Sequence, residues 1–282
     1  MSKQRGITEL DISVKDQIEK IEVELFLEAI FRQYGFDYRN YAYESIRRRI
    51  WHSARETKAT TISEYQGQVL YKPELMKILA NNISITVTEM FRDPSFFESI
   101  RLNIVPRLKT QPIVRIWITG CSSGEEVYSL AILLHEEGLY ERSRIYATDI
   151  NEAVLQRAKK GTISILHMQQ YTKNYLQAGG QREFSKYYKV DGEHVILEPF
   201  LKENITFAQH NLATDQSFNE FHVIICRNVL IYFNQHLKNR VFQLFYESLS
   251  EGGILGLGSQ ETIISSKVFS DLDYSNKIYI KD

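Results

Sequence analysis

The stretch VRIWITGCSSGEEVYSLAILL, residues 114–134, decides the fold of this chain. Over residues 114–119, Val and Ile alternate with Arg, Trp and Thr, which predicts a short strand that enters a core. Small residues follow between Gly120 and Gly124, and after them apolar residues recur at helical spacing. A strand, a glycine-framed loop and a helix in this order predict the cofactor-binding turn of a doubly wound α/β sheet.

The composition excludes several classes of protein. With 43% hydrophobic and 24% charged residues among 282, the chain has the make-up of a soluble globular protein. A formal net charge of -1 argues against nucleic-acid binding, and two cysteines without metal-binding spacing argue against a disulfide framework or a metal site. Residues 1–20 lack the apolar core that a signal peptide needs, and the sequence contains no uninterrupted apolar run of about 18 residues. We therefore expect a cytoplasmic protein that holds no metal and is not inserted in a membrane.

Residues 1–82 predict an all-helical N-terminal domain. A first helix is expected over 18–34 and a second over 41–56, and Pro73 suits the first turn of a later helix. We expect the first helix to bury the apolar residues that recur at helical spacing, namely Ile21, Leu25, Ala29 and Ile30.

Arg47, Arg48 and Arg49 give the second predicted helix a local positive charge. Such a cluster is commonly no more than a solvated helix face. The other interpretation is a docking surface, because a concentrated positive field attracts an acidic partner. Both interpretations stay open on the residues alone.

Residues 83–95 are expected to be a linker that contributes to a functional site. The linker is rich in β-branched residues and ends in Asp-Pro, which favours an extended chain before a new helix. Residues 96–282 then alternate between strand and helix patterns, which predicts an α/β domain. An Asp-Gly turn within residues 182–200 predicts an antiparallel hairpin inserted in that domain. The hairpin is either a plain edge or a surface that pairs with a partner peptide.

Polar residues follow several of the predicted strands. Asp149 ends the second strand of the α/β domain, where nucleoside-binding folds place a carboxylate for the ribose hydroxyls. Asn211 follows a later strand, and Arg227, Asn228 and Tyr232 follow the one after it. Because the carboxyl ends of parallel strands meet at one edge of a sheet, we expect these residues to line one ligand site.

The loop after the first strand discriminates between cofactors. A dinucleotide site needs Gly-x-Gly-x-x-Gly, but Ser122 replaces the middle glycine, and Glu125 and Glu126 open the helix. Two carboxylates would repel a pyrophosphate at a helix N-terminus, whereas S-adenosylmethionine carries an ammonium and a sulfonium and no phosphate. The alternative is structural, because acids at this position stabilise a helix by a few tenths to about 1 kcal/mol. The charges favour a methyl donor.

Four segments resemble the chemotaxis receptor methyltransferases of the CheR family, namely ITVTEMFRDPSFF, IWITGCSSGEEVYSLAILL, YATDINEAVLQRAKKG and HVIICRNVLIYF. The resemblance covers nearly the whole chain. It implies a Rossmann-like methyltransferase domain with a small antiparallel β-hairpin insertion, preceded by an all-α domain. It also implies that S-adenosyl-L-methionine is the donor and S-adenosyl-L-homocysteine the product. The implied reaction methylates glutamate side chains on cytoplasmic helices of chemoreceptors, giving γ-glutamyl methyl esters.

The resemblance also implies residue roles. Glu126 would hold the methionine ammonium of the donor, and Asp149 would hold its ribose. Arg92 and Tyr232 would lie nearest the transferred methyl group. The resemblance places three residues beside the donor, namely Thr86, Thr88 and Arg92. The residues that would frame its adenine and the rim are Asn211, Leu212, Arg227 and Asn228. The chain departs from the family's usual residues at Thr86 (for Asn), Glu89-Met90 (for Ala-Phe) and Val127 (for Pro).

The implied partner is the set of cytoplasmic methylation helices of a chemoreceptor, with Arg47, Arg48 and Arg49 as the docking surface. The hairpin has only Gly192 at its turn, so we expect no tethering to a receptor's C-terminal pentapeptide. The chain is expected to be a monomer. Three alternatives remain: a methyltransferase of this fold with another acceptor, a non-catalytic donor-binding signalling module, and an NAD-dependent oxidoreductase, which the glutamate pair disfavours.

Overall fold

A computed structural model of the chain describes residues 9–83, 88–263 and 268–282, with side chains from Val14 onward. The chain divides into two compact units. The helical unit comprises residues 1–85 and 232–237, and the α/β unit comprises residues 86–231 and 238–282. The main boundary between them therefore falls within the segment that the sequence predicted as a linker.

The described part of the helical unit is built from the helices α1 Glu9–Tyr34, α2 Tyr43–Glu56, α3 Ile62–Tyr71 and α4 Pro73–Ile83. Helix α3 begins where the Thr61 hydroxyl accepts a hydrogen bond from the N–H of Glu64 at 3.1 Å. Helix α4 begins at Pro73. Proline has no N–H, but N–H groups in the first turn of a helix have no partner within the helix, so no hydrogen bond is lost there. The core between the helices includes the fully buried side chains of Phe26, Ile50, Tyr65 and Leu79.

Helix α1 buries a different side from the one that the sequence predicted. Ile30 is buried as expected, but Ile21 and Leu25 are 56% and 58% exposed. The core-facing side chains of α1 are Val23, Phe26, Leu27 and Ile30. The prediction for Ile21 and Leu25 is wrong because α1 carries apolar residues at helical spacing on two sides. The spacing alone does not say which side faces the domain.

The helices after residue 88 are α5 Pro94–Ser99, α6 Val105–Leu108, α7 Glu125–Glu136, α8 Glu152–Lys160, α9 Met168–Gln177 and α10 Gln235–Ser248. A π-helical turn, Ile100–Ile104, joins α5 to α6. The strands are β1 Val114–Thr119, β2 Ser143–Asp149, β3 Thr162–Ser164, β4 Tyr188–Asp191, β5 His194–Leu197, β6 Ile205–Gln209, β7 Phe221–Cys226, β8 Leu249–Leu257, β9 Phe269–Asp273 and β10 Ile278–Lys281. In the ranges that the structure describes, no helix has both the length and the apolar character needed to span a membrane.

Among the described residues, β1 is the third strand of a seven-stranded sheet of order β6-β2-β1-β7-β8-β10-β9, between β2 and β7. Strands β6, β2, β1, β7 and β8 are mutually parallel, and β10 runs antiparallel to both of its neighbours, β8 and β9. The predicted α/β fold, with a mostly parallel sheet and late antiparallel strands, is confirmed. Thr119 lies opposite both Thr148 of β2 and Cys226 of β7, and Asp149 lies opposite Gln209 of β6. The carboxyl ends of these strands therefore form one rim.

A second, smaller sheet has the antiparallel order β3-β5-β4. Strands β4 and β5 form the predicted hairpin, with Asp191 paired to His194 and Gly192 in the left-handed region at φ +58°. Strand β3 was not predicted. It is only three residues long, so its alternation is too short to recognise before its pairing with β5 is known.

A buried carboxylate ties this insertion to the larger sheet. Glu136, at the end of α7, has a fully buried side chain that pairs with the Arg101 guanidinium. It also accepts hydrogen bonds from the hydroxyls of Tyr175 on α9 and Tyr187 before β4, the latter at 2.9 Å. Because a buried carboxylate is costly unless it is paired, this network fixes α9 and the insertion against α7.

Candidate active site

The loop between β1 and α7 closes tightly at the rim. Gly120 has a φ of +63°, and a Cβ there would stand 2.4 Å from a methyl carbon of Val229. Gly124 has a φ of +96°, and its Cβ would stand 3.0 Å from that of Ala158. Both glycines are therefore required by the backbone conformation and by the close packing. Ser122, between them, is also left-handed with a φ of +50°.

Asp149 ends β2 beside this loop. Its carboxylate accepts hydrogen bonds from the N–H of Ser122 at 3.0 Å and from the N–H of Asn151 at 2.9 Å. Burial raises the pKa of Asp149, and these backbone hydrogen bonds partly oppose the rise. Each carboxylate oxygen has a further lone pair for a hydroxyl donor, which suits the two hydroxyls of a ribose.

Arg227, directly after β7, joins two carboxylates. Its Nη1 donates to Glu126 at 2.6 Å, its Nη2 donates to Asp93, and its guanidinium carbon lies 4.2 Å from the centre of the Phe96 ring. The Arg227 side chain is 1% exposed. We call Arg227, Glu126 and Asp93 the carboxylate cluster. One cation between two anions leaves this cluster with a net negative charge, which attracts a positively charged ligand group.

The structure changes the expected task of Arg227. The resemblance implied that this residue frames the adenine of the donor. Its guanidinium is instead held by Glu126 and Asp93. We therefore expect Arg227 to position the Glu126 carboxylate rather than to contact the adenine.

Arg92 lies on a turn, residues 91–93, that several contacts hold in a strained conformation; we call it the braced turn. Its neighbours Phe91 and Asp93 are both left-handed, with φ of +52° and +55°. Non-glycine residues in this region cost of order 1 kcal/mol or more and persist where the surroundings hold them. The N–H of Phe91 donates to the Ser129 hydroxyl at 2.8 Å, the Phe91 ring is buried, and Asp93 is paired with Arg227. The Arg92 carbonyl also accepts from Arg227 at 3.3 Å.

The preceding residues lead into this turn. Thr86 lies outside the described residues. Thr88 is half-buried, and its carbonyl accepts a hydrogen bond from the Tyr171 hydroxyl at 3.4 Å. Glu89, one of the departures from the family pattern, accepts from the Asn174 amide at 3.3 Å. A side-chain amide of α9 therefore accommodates the unusual carboxylate.

Asn211 and Leu212 follow β6 at the same rim. The Asn211 side-chain oxygen accepts from the N–H of Ala213 at 2.9 Å, and its own N–H donates to Asp215 at 2.9 Å. The N–H of His210 donates to the Asp149 carbonyl at 3.1 Å. This turn is therefore fixed next to Asp149, with Leu212 buried beneath it.

A buried carboxylate that the sequence analysis missed organises the loop after β7. Glu261 accepts hydrogen bonds at 2.7 to 3.3 Å from the N–H groups of Asn228, Val229, Leu230, Ile231 and Gly258. Burial raises the pKa of Glu261, against the lowering effect of these bonds. Asn228 is left-handed at φ +60°. Glu261 comes shortly after β8, just as Asp149 ends β2 and as Asn211 and Arg227 come after their strands. The expectation that polar residues after parallel strands meet at one edge of the sheet would have identified Glu261 if it had been applied to β8.

Tyr232 belongs to the helical unit, together with the rest of the segment 232–237. Its carbonyl accepts from the N–H of Ala42 at 2.8 Å, and Phe233 forms an antiparallel bridge with Tyr41. The guanidinium carbon of Arg49 lies 4.3 Å from the centre of the Tyr232 ring.

The three arginines of α2 have three different surroundings. Arg48 is exposed, and Arg47 pairs with Glu19 of α1. Arg49 is only 5% exposed, donates to the carbonyl of Ile83, and has a pKa that burial lowers. Arg49 therefore cannot belong to an exposed docking surface. That part of the expectation is wrong because α2 turns its third arginine into the helical unit.

The rim residues fit S-adenosylmethionine better than a phosphate-containing cofactor. The carboxylate cluster offers negative charge for an ammonium, and Asp149 offers acceptors for ribose hydroxyls. Among the described residues, the buried Ser122 hydroxyl has no hydrogen-bond partner, so the loop also retains a polar group for a ligand. The N-terminus of α7, where a phosphate would bind, is occupied by Glu125 and Glu126.

This sheet, its glycine-framed loop and its rim carboxylates define a Rossmann-like S-adenosylmethionine-dependent methyltransferase. Residues 86–278 match the family described as "CheR methyltransferase, SAM binding domain", and residues 21–84 match "CheR methyltransferase, all-alpha domain". The chain therefore belongs to the CheR methyltransferase family, and its cofactor is S-adenosylmethionine.

Relatives extend over most of the chain. "Putative methyltransferase Cher3" of Pseudomonas putida is 49% identical over 243 residues, which cover 86% of this chain and 89% of that protein. A "Chemotaxis protein methyltransferase" of Listeria monocytogenes is 30% identical over 258 residues, covering 91% and 95%. "Chemotaxis protein methyltransferase 2" of Vibrio cholerae is 32% identical over 199 residues, covering 67% of each chain.

The environment of Asp149 predicts a pH dependence of donor binding. Protonation removes the charge that strengthens its hydrogen bonds to hydroxyls, and the raised pKa makes protonation begin at a higher pH than for an ordinary aspartate. Affinity for S-adenosylhomocysteine should therefore fall as the pH is lowered from about 7 to about 4, and the fall should begin at a higher pH than an ordinary aspartate would cause. Asp149→Asn should weaken binding about tenfold at pH 7 and flatten the dependence.

Titration calorimetry across this pH range checks the prediction. Glu125 and Glu261 also have raised pKa values, but both remain in the variant, so the difference between the two profiles reports on Asp149. A wild-type affinity that does not change with pH would contradict the prediction, as would an equally steep profile in Asp149→Asn.

Proposed function

We propose that this protein methylates glutamate side-chain carboxylates on cytoplasmic helices of chemoreceptors, using S-adenosylmethionine and giving γ-glutamyl methyl esters. The observation that carries the methyl-transfer part is the carboxylate cluster beside the glycine-framed loop, because it suits a cationic donor without phosphate. The acceptor is supported by the relatives named as chemotaxis protein methyltransferases. It is also supported by the family match along both domains.

The chemistry places few demands on proton transfer. When bound, S-adenosylmethionine supplies a sulfonium methyl group that a carboxylate oxygen can take by in-line displacement, leaving the electron pair of the broken bond on sulfur. A glutamate acceptor is already ionised at neutral pH, so the protein needs no general base. Its residues have to align the two reactants and exclude water, which is catalysis by proximity and orientation.

Each described site residue then has a task. Glu126, held in place by Arg227, would bind the ammonium, and Asp149 would bind the ribose. The braced turn would hold Arg92 where it can orient an incoming carboxylate by charge, and Tyr232 would position that carboxylate by a hydrogen bond. Of the three predicted docking arginines on α2, Arg48 is the most exposed one and would meet an acidic receptor helix.

Isotope-labelled S-adenosylmethionine tests the acceptor directly. The protein is incubated with the donor and with cytoplasmic fragments of candidate chemoreceptors, and the receptor band is examined for methyl label. Mild base hydrolyses glutamate methyl esters to glutamate and methanol, so alkaline treatment should release the label as methanol. Asp149→Asn serves as the control for donor-dependent labelling. Base-stable label, or label on no receptor fragment, would exclude the proposed acceptor while leaving donor binding to be measured separately.

Arg92→Ala and Tyr232→Phe are expected to slow methyl transfer about 10- to 100-fold while changing donor affinity less than about threefold, because both residues are assigned to the acceptor. Initial rates with receptor fragment and calorimetry with S-adenosylhomocysteine measure the two effects. The matched controls are Arg115→Ala, at the end of β1 opposite the rim, and Tyr274→Phe, an exposed residue after β9, and both should behave like wild type. A loss of donor affinity in proportion to the loss of rate would reject the assignment.

A further inference from the structure

The outward side of α1 carries a continuous apolar stripe. Its members are all at least half exposed, with exposed fractions of 50% for Val14, 54% for Ile18, 56% for Ile21 and 58% for Leu25. We call these four residues the outer stripe. Scattered apolar residues are normal on protein surfaces, but a row on one side of a helix marks a surface that another molecule covers. The core of the helical unit does not need it, since α1 fills that core from its opposite side.

The spacing of the outer stripe is that of a two-helix seam. Its residues are separated by four, three and four positions, the alternation of the a and d positions of a heptad. The stripe therefore runs along the helix axis for about 17 Å rather than winding around it. Such a seam packs against another helix of the same kind.

The charges beside the stripe indicate which helix that is. Lys15 and Glu22 flank it on the same edge, at equivalent heptad positions, and Gln17 and Glu24 flank the other edge. When two copies meet antiparallel, like edges face each other, so Lys15 of each copy lies beside Glu22 of the other. Val14 then packs with Leu25, and Ile18 with Ile21. A parallel pair forms neither of these two ion pairs.

We propose that the outer stripe is a self-association surface, through which two copies of this chain pair by an antiparallel, two-fold symmetric helix seam. The contact is isologous and closes on itself, so it gives a dimer and not a fibre. This inference does not depend on the acceptor proposed above, and it departs from the monomer that the sequence suggested. A seam of four side chains buries less surface than the roughly 800 Å² per partner of a standard interface. We therefore expect weak association, with a dissociation constant of about 10–100 µM.

Sedimentation velocity of the full chain at low salt, from about 5 to 200 µM, measures the dimer. Ile18→Glu should weaken association at least tenfold, because it places a carboxylate in the seam. Lys20→Glu, an exposed position of α1 outside the stripe, is the matched control and should leave association within about twofold.

A charge exchange tests the antiparallel pairing itself. Lys15→Glu and Glu22→Lys should each weaken the dimer, and the double variant should recover it, because exchanging both charges restores the cross-chain pairs. Glu22 also accepts a hydrogen bond from the N–H of Ser63 at 3.2 Å, so thermal unfolding must first show that the Glu22 variants are folded. Recovery in a folded double variant supports the proposal. A wild-type chain that stays monomeric up to 200 µM would overturn it, as would a dimer that Ile18→Glu leaves intact or a double variant weaker than either single one.

Discussion

Replacing Arg227 with methionine is expected to lower the free energy of unfolding by about 3 kcal/mol. The substitution keeps most of the apolar volume against Phe96 but leaves Glu126 and Asp93 without their cation. Breaking a buried ion pair by removing one partner typically costs about 3–5 kcal/mol, and the partial exposure of Asp93 places the expected value at the lower end. The turn that carries Arg92 also loses one of its braces, so donor affinity should fall with stability.

Urea unfolding of the wild type and the variant measures the effect. Arg115→Met is the matched control, because its partner Glu220 is mostly exposed and such surface pairs contribute about 0–1 kcal/mol. Arg227→Lys separates charge from shape, since one ammonium cannot bridge two carboxylates as a planar guanidinium does. Equal losses in Arg227→Met and Arg115→Met would show that the carboxylate cluster contributes no more than a surface pair.

Glu261→Gln is expected to cost about 2 kcal/mol of stability and to lower donor affinity about tenfold, although the side chains have nearly the same shape. The wild-type carboxylate accepts five backbone N–H groups, three on one oxygen and two on the other. An amide has only one acceptor oxygen, so its NH₂ group would face backbone donors that are then left unsatisfied. The loop that contains Asn228 should loosen as a result.

Two measurements separate positioning from stability alone. Donor binding is followed by calorimetry at a temperature where urea titration shows the variant to be fully folded, and Glu220→Gln provides the exposed control. Glu261→Ala, which removes both acceptor oxygens, should show a larger loss of the same kind. Unchanged donor affinity in folded Glu261→Gln would mean that Glu261 supports the fold without positioning the site.

Much of the α/β unit follows from local patterns. The alternation of residues 114–119, the framing glycines and the helical spacing after Gly124 predict β1, its loop and α7, because each is set by neighbours in sequence. The position of Asp149 at the rim was predictable for a different reason, since parallel strands bring their carboxyl ends to one edge of a sheet.

The features that were not predicted depend on contacts distant in sequence. Glu261 holds residues 228–231, and Arg227 reaches back to Asp93 and Glu126, which no local pattern encodes. The burial of Arg49 depends on which side of α2 meets Ile83. For α1, two apolar sides satisfy the same periodicity, and only the packed core distinguishes them.

The short segment 232–237 limits how the two units can be separated. It lies deep in the second half of the chain yet belongs to the helical unit, where its backbone bonds to residues 40–42. The polypeptide therefore passes between the two units three times. Removal of residues 1–85 would therefore leave the remaining chain with a segment, 232–237, that has lost its backbone partners at residues 40–42. An isolated α/β unit is better prepared with that segment replaced than by truncation alone.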